Sequence, residues 1–180
     1  MLFSATMTPI DYFTDILGGG KNVETLVLPT PFDQKNLFVA AVDSVSTRYD
    51  DRNEKTYKKL TAIIASAVSA KAGNYIVYFP SYSFMDEVRK CFEKRFPKVK
   101  LIVQQKGMGR GERDRFIAEF KDDEGKLRIG FCVLGGSFSE GVDLPGNKLI
   151  GTIIVGVGLP GLSNENNIII RHIISKHSKK

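Results

Sequence analysis

Apolar positions along this chain fall into two alternating patterns. Residues 37–42, 75–79, 99–103, 127–133 and 149–157 are short runs rich in β-branched and aromatic side chains, the pattern of buried strands. Between them, apolar residues recur at helical spacing. Residues 55–71 place Leu60, Ile63, Ile64, Ala67 and Val68 on one stripe. Residues 81–96 do the same with Phe84, Met85, Val88, Phe92 and Phe96, and residues 112–120 with Phe116, Ile117 and Phe120. A shorter helix opens at Thr8 and Pro9, a cap followed by proline, and stops at Gly18, Gly19 and Gly20. Strands that are apolar throughout, separated by amphipathic helices, predict an α/β fold whose parallel sheet is covered on both faces. Ligands of such sheets bind at the carboxyl ends of the strands. Function is therefore expected in the loops 4–9, 80–83, 104–110 and 135–146. The chain contains no internal repeat and no low-complexity stretch.

Composition narrows the class. With 180 residues, 42% hydrophobic and 26% charged, the chain has the size and make-up of one soluble domain with a full core. Cys91 and Cys132 are too few for a disulfide framework and form no CxxC pair for zinc, so a reducing, cytoplasmic setting is expected. No apolar run approaches the roughly 20 residues that cross a bilayer, and the N-terminus lacks the basic start of a signal peptide. Both ends look cut. A strand-like Leu2, Phe3 and Ser4 begins at once, and the helical stretch 164–176 has no strand after it. The expectation is one domain over 1–180, a piece of a longer chain.

Charge points toward a polyanion without establishing one. Twenty-six Lys and Arg against twenty Asp and Glu give a net +6, enough for steering and counterion release. Arg110, Arg113 and Arg115 cluster with Lys106, and Lys176, Lys179 and Lys180 lie in an acid-free tail. A solvated helix face and a solvated end account for these equally well.

Three near-motifs fit their patterns incompletely. Gly18-Gly19-Gly20-Lys21 follows a helix and has Asn22 where a P-loop needs Ser or Thr. Gly156-Val157-Gly158-Leu159-Pro160-Gly161 fits a dinucleotide turn after a strand, but no later strand supplies the ribose-binding acid. Ser137-Phe138-Ser139-Glu140-Gly141 misses the nucleophile elbow because Ser137 replaces its first glycine, and nothing orients His172 as a base. His172 and His177 read as tail residues.

Taken in order, the strand-end loops resemble the second RecA-like domain of superfamily-two DNA helicases of the DinG and XPD-like branch. Ser4-Ala5-Thr6 looks like motif III and residues 75–83 like motif IV. Gln104-Gln105 with Glu112-Arg113 and residues 116–120 is similar to the Q…ER…F stretch between motifs IV and V. Gly136-Ser137-Phe138-Ser139-Glu140-Gly141-Val142-Asp143-Leu144-Pro145-Gly146 looks like the specific motif V signature G-S-F-x-E-G-V-D-x-P-G. In that branch an aromatic often stands where this chain has Ser139. The resemblance covers about residues 2–170.

What the resemblance implies is a RecA-like three-layer domain with a mostly parallel sheet of about five or six strands. It implies the C-terminal motor half of an ATP-dependent helicase of a kind acting in repair or replication. Ser81, Tyr82, Ser137 and Phe138 would line a track for single-stranded DNA, with Thr6 at the hinge. Glu140 and Asp143 would couple nucleotide state to strand position across the cleft, and Gly141 and Asp143 would touch the nucleotide. ATP and magnesium would belong to the complete protein and its N-terminal motor domain. Walker A and B, iron–sulfur cysteines and motif VI do not occur in this sequence, so the chain by itself is expected to hold neither cofactor and to be inactive. Two other classes remain: a stand-alone nucleic-acid-binding remnant, and a nucleotide-binding enzyme using Gly156 to Gly161.

Overall fold

The computed structural model describes all residues except 5, 19–22, 124, 140, 159–163, 165–166, 169 and 173–180. They fall into two units, Met1–Ala41 and Val42–Lys180. The first contains α1 (Ile10–Ile16), with Pro9 rather than Thr8 at the N-cap position and no side-chain cap. No described residue of this unit is buried.

The second unit carries the sheet. In chain order it contains α2 (Glu54–Ser69), β1 (Asn74–Phe79), α3 (Tyr82–Arg95), β2 (Leu101–Val103), α4 (Arg110–Ala118), β3 (Arg128–Val133) and β4 (Gly151–Ile154). All described strand pairs are parallel, in the order β2-β3-β1-β4. Asn53 and Ser81 start α2 and α3 by accepting hydrogen bonds from the Thr56 and Phe84 amides. At the start of α4, Glu112 reaches back to the Gly109 N–H at 2.8 Å.

Strand alternation sends Tyr75, Val77, Phe79, Ile129, Phe131 and Val133 to one face, where α2 and α3 cover them with Leu60, Ile64, Phe84, Met85, Val88 and Phe92. The opposite face presents Ile76, Gly130 and Cys132, and α4 covers it with Phe116 and Phe120, joined by Phe138 from the loop after β3. Gly130 is required there: a Cβ would stand 2.7 Å from the Phe120 ring. β1 to β2 runs through α3 on one face and β2 to β3 returns through α4 on the other, as right-handed crossovers in opposite directions demand. This is the predicted three-layer α/β sandwich.

At the amino end of the sheet, Asn74 is 2% exposed and its Nδ2 donates to the Lys121 and Asn147 carbonyls at 2.8 and 2.9 Å. Arg128 beside it forms a two-pronged ion pair with Asp123.

The sheet has four described strands where five or six were expected. Residues 37–42 and Leu2 to Ser4 are not strands. Leu37, Phe38 and Val39 are 65–89% exposed. Their β-favouring side chains meet no ladder partner and no covering helix, and a strand needs both. In the stretch 164–176, residues 164, 167–168 and 170–172 are helical, and the rest lies outside the described residues.

Candidate nucleic-acid and nucleotide interface

The carboxyl ends of the strands are drawn together by backbone bonds. The Leu134 amide donates to the Phe79 carbonyl, Gln104 to Phe131 and Val155 to Tyr78, at 2.8–2.9 Å. The loops that follow β1, β2 and β3 therefore open on one edge, the edge the sequence pattern selects.

Ser81 and Tyr82 lie where β1 turns into α3. The Ser81 hydroxyl caps the helix through the Phe84 amide at 3.3 Å and lies 3.2 Å from Ser83 Oγ. The Tyr82 hydroxyl, half-buried, accepts a bond from Gln104 Nε2 at 3.0 Å. Gln104 is the residue sequence reasoning undervalued. Only 3% exposed, it also accepts the Val133 N–H through Oε1 at 2.8 Å. One side chain thus ties the first residue of α3 to the last residue of β3, at the points where the loops after β1 and β3 end and begin. The available signal was position, because a polar residue immediately after an apolar strand stands at the sheet's carboxyl end.

The loop after β3 is anchored from below. Tyr78 donates its hydroxyl proton to the Phe138 carbonyl at 2.8 Å, and burial holds this phenol above its ordinary pKa, so it remains a donor. The Ser139 hydroxyl turns back to the Val133 carbonyl at 3.2 Å. This gives the serine a local purpose. Phe138 is 2% exposed, with its ring centroid 4.2 Å from that of Phe116. Its ring is therefore an anchor, and it offers no stacking surface to a base.

Ser137 is exposed beside this anchor, on an open cleft of about 420 Å³ that it shares with Arg110, Arg113, Ile117 and Gly141. The structure thereby brings two of the clustered arginines to the motif V loop. Gly141 has φ +70° with open space where a side chain would stand, a turn that glycine makes without strain. Asp143 is exposed, and its carboxylate takes no hydrogen bond from a described residue. Among the described residues it caps no turn.

The remaining candidates divide. Glu140 lies outside the described residues. Thr6 belongs to the first unit, where its amide and hydroxyl pair with Ser4 Oγ at 3.1 Å. Of the glycine run beginning at Gly156, the described part has a packing explanation. A Cβ at Gly156 would meet Thr47 Oγ1 at 2.6 Å, and one at Gly158 would meet Leu134 at 3.0 Å. Among the described residues no three His, Cys, Asp or Glu side chains group as metal ligands, and no helix is long and apolar enough to cross a membrane.

The parallel sheet of four described strands and its two covering layers define the class: an α/β domain of RecA-like fold. Residues 64–180 match the family model described as the helicase C-terminal domain, and the chain belongs to that family. It is similar to the probable ATP-dependent helicase MJ0942 of Methanocaldococcus jannaschii, 29% identical over 150 residues, covering 79% of this chain and 22% of that protein. It is also similar to the ATP-dependent DNA helicase chl1 of Schizosaccharomyces pombe, 26% identical over 180 residues, with 88% and 20% covered. Among solved structures, an apo XPD chain superposes with TM-score 0.53 at 21% identity over 71% of this chain and 25% of that one. An XPD helicase chain gives 0.51 at 23% identity, over 72% and 22%. The present chain spans about a fifth of the length of these curated relatives.

Proposed function

We propose that residues 1–180 form the second motor domain of an ATP-dependent DNA helicase that grips single-stranded DNA and closes on a nucleotide held by a first motor domain. The observation that carries this reading is the bond pair of Gln104, which joins the start of α3 to the end of β3 beside the loops at the sheet's carboxyl edge. The motif V match gives those loops their assignment. Ser81, Tyr82 and Ser137 would contact the phosphate backbone, and the Phe138 ring would hold their loop in place. Backbone contact carries no base identity, so binding is sequence-blind. The unpaired cysteines agree with a reducing, cytoplasmic setting.

Asp143 and Gly141 form the nucleotide side. An exposed carboxylate without a partner among the described residues can accept a ribose hydroxyl, and the glycine lets backbone approach the ligand. ATP and magnesium are held mainly by the first motor domain, since this sequence contains no phosphate-cradling loop. The chain alone therefore does not hydrolyse ATP. DNA-stimulated phosphate release by the purified chain, surviving a contaminant control, would contradict this.

Fluorescence anisotropy with single-stranded DNA across a salt series tests the binding half. Half a track should bind in the non-specific range, at roughly 10–100 µM, and weaken steeply as salt rises. No binding at low salt, or affinity indifferent to salt, overturns the proposal.

A further inference from the structure

The amide of Gln104 has one acceptor atom and one donor group, and its neighbours decide which way round it sits. The Val133 backbone N–H can only donate, so it takes Oε1, at 2.8 Å. The NH2 group is thereby turned toward Tyr82 and donates to the hydroxyl oxygen at 3.0 Å. A phenol oxygen accepting that bond keeps its own proton, which must point away from Gln104. We infer that Gln104 is a positioning residue that orients the Tyr82 hydroxyl as a donor toward a phosphate oxygen of bound single-stranded DNA. The inference rests on the strand-binding function proposed above and names how one contact in it is set.

The chemistry favours such an arrangement. A phosphate oxygen only accepts, and a hydroxyl free to turn presents it with lone pairs as readily as with a proton. Fixing the donor beforehand removes that mismatch and the ordering cost at binding. Gly136 belongs to the same device. A Cβ there would stand 2.9 Å from Gln104 Nε2 and 3.0 Å from the Val133 carbonyl oxygen, displacing the amide from its two partners. The sequence of constraint runs from a backbone amide of β3, through a buried side chain, to a hydroxyl at the mouth of the site.

Two readouts on the full chain test it. The first needs no DNA. In NMR spectra the Gln104 side-chain NH2 protons should exchange slowly with water and shift on Tyr82→Phe. If that substitution leaves their shifts and exchange unchanged, the inference is overturned. The second is a double-substitution cycle in affinity for an oligo-dT of about twenty nucleotides. Tyr82→Phe should weaken binding by about tenfold, one charge-assisted hydrogen bond lost. Gln104→Glu keeps an acceptor for Val133 but draws the Tyr82 proton inward. It should weaken binding of the parent sequence by a similar factor and have little further effect on the Tyr82→Phe variant. An equal loss in both backgrounds would mean that only the added negative charge acts, and the inference would fall. Gln104→Met should cost roughly two- to threefold, again only when Tyr82 is present. It decides the matter if the glutamate variant does not fold. A parent sequence that binds no DNA overturns the proposed function and the phosphate end of the inference together. The NMR readout still judges the Gln104–Tyr82 contact by itself.

Discussion

Asp143 is a carboxylate on the surface with no described partner, two residues after a glycine turn and two before Pro145. Its direction is set by backbone, so its removal should cost little fold stability. In the complete helicase proposed above, Asp143→Ala is expected to lower DNA-stimulated ATP hydrolysis by about ten- to a hundredfold, the loss of one hydrogen bond to a charged acceptor. Single-strand affinity without nucleotide should stay within about a factor of three, since other residues make the track. Equal losses of both activities together with a lower melting temperature would defeat the nucleotide role. The two cysteines make a second contrast. Burial pushes the Cys132 thiol up to about 12, whereas Cys91 is half-exposed on α3. Under native conditions a thiol reagent should modify Cys91 and leave Cys132 until the chain unfolds. Mass spectrometry of the labelled peptides reads this directly. At this scale the sequence was legible where a residue acts through local backbone chemistry, as with the Ser81 hydroxyl at the start of α3. It was not legible for Phe138, because an aromatic in a glycine-rich loop reads alike as a stacking surface or an anchor. Only packing against Phe116 separates the two.

Elements were legible where the apolar pattern and its partner lie in the same layer. The helices over 54–69, 82–95 and 110–118 and the strands over 74–79 and 128–133 follow the predicted stripes within a few residues. The run 37–42 has equal β character, and the difference is that nothing pairs with it. Pairing is a long-range fact that local composition does not contain. The contact between β3 and α4 offers a sharp test of packing. Gly130 is fully within the sheet, and an added methyl would stand 2.7 Å from Phe120 and 3.4 Å from Ile76. Its backbone is ordinary for a strand, so crowding alone is at issue. Gly130→Ala should lower stability by about 1–3 kcal/mol through overpacking. Chemical denaturation measures it, and Gly130→Ala combined with Phe120→Leu should recover part of the loss.

For the molecule as a whole, pH reports on the clasp at the amino end of the sheet. The Arg128 guanidinium, more than Lys126, holds the Asp123 carboxyl well below its ordinary value near 3.8. A carboxylate with a depressed pKa stabilises the fold above the unfolded value, and that contribution is lost as pH falls through the folded one. Melting temperature should therefore drop as pH is lowered from about 4, and Asp123→Asn should flatten that acid limb while leaving its slope near neutrality unchanged. Thermal scans across pH check it. The two faces of the sheet are unequal in a way that also bears on the whole. Among the described residues, fourteen buried side chains gather on the α2 and α3 side, against five on the α4 side. One of those five is Phe138, the pin of the loop proposed to grip the strand. The α4 layer is then the weaker seam of the domain. It can come away as one cooperative unit, carrying the loop with it, while β1, β3 and the helices opposite stay assembled. Amides of α4 and of residues 135–139 should share one opening free energy, lower than that of β1. A motor that must release its grip once in each cycle would have that release written into the thinner half of its core.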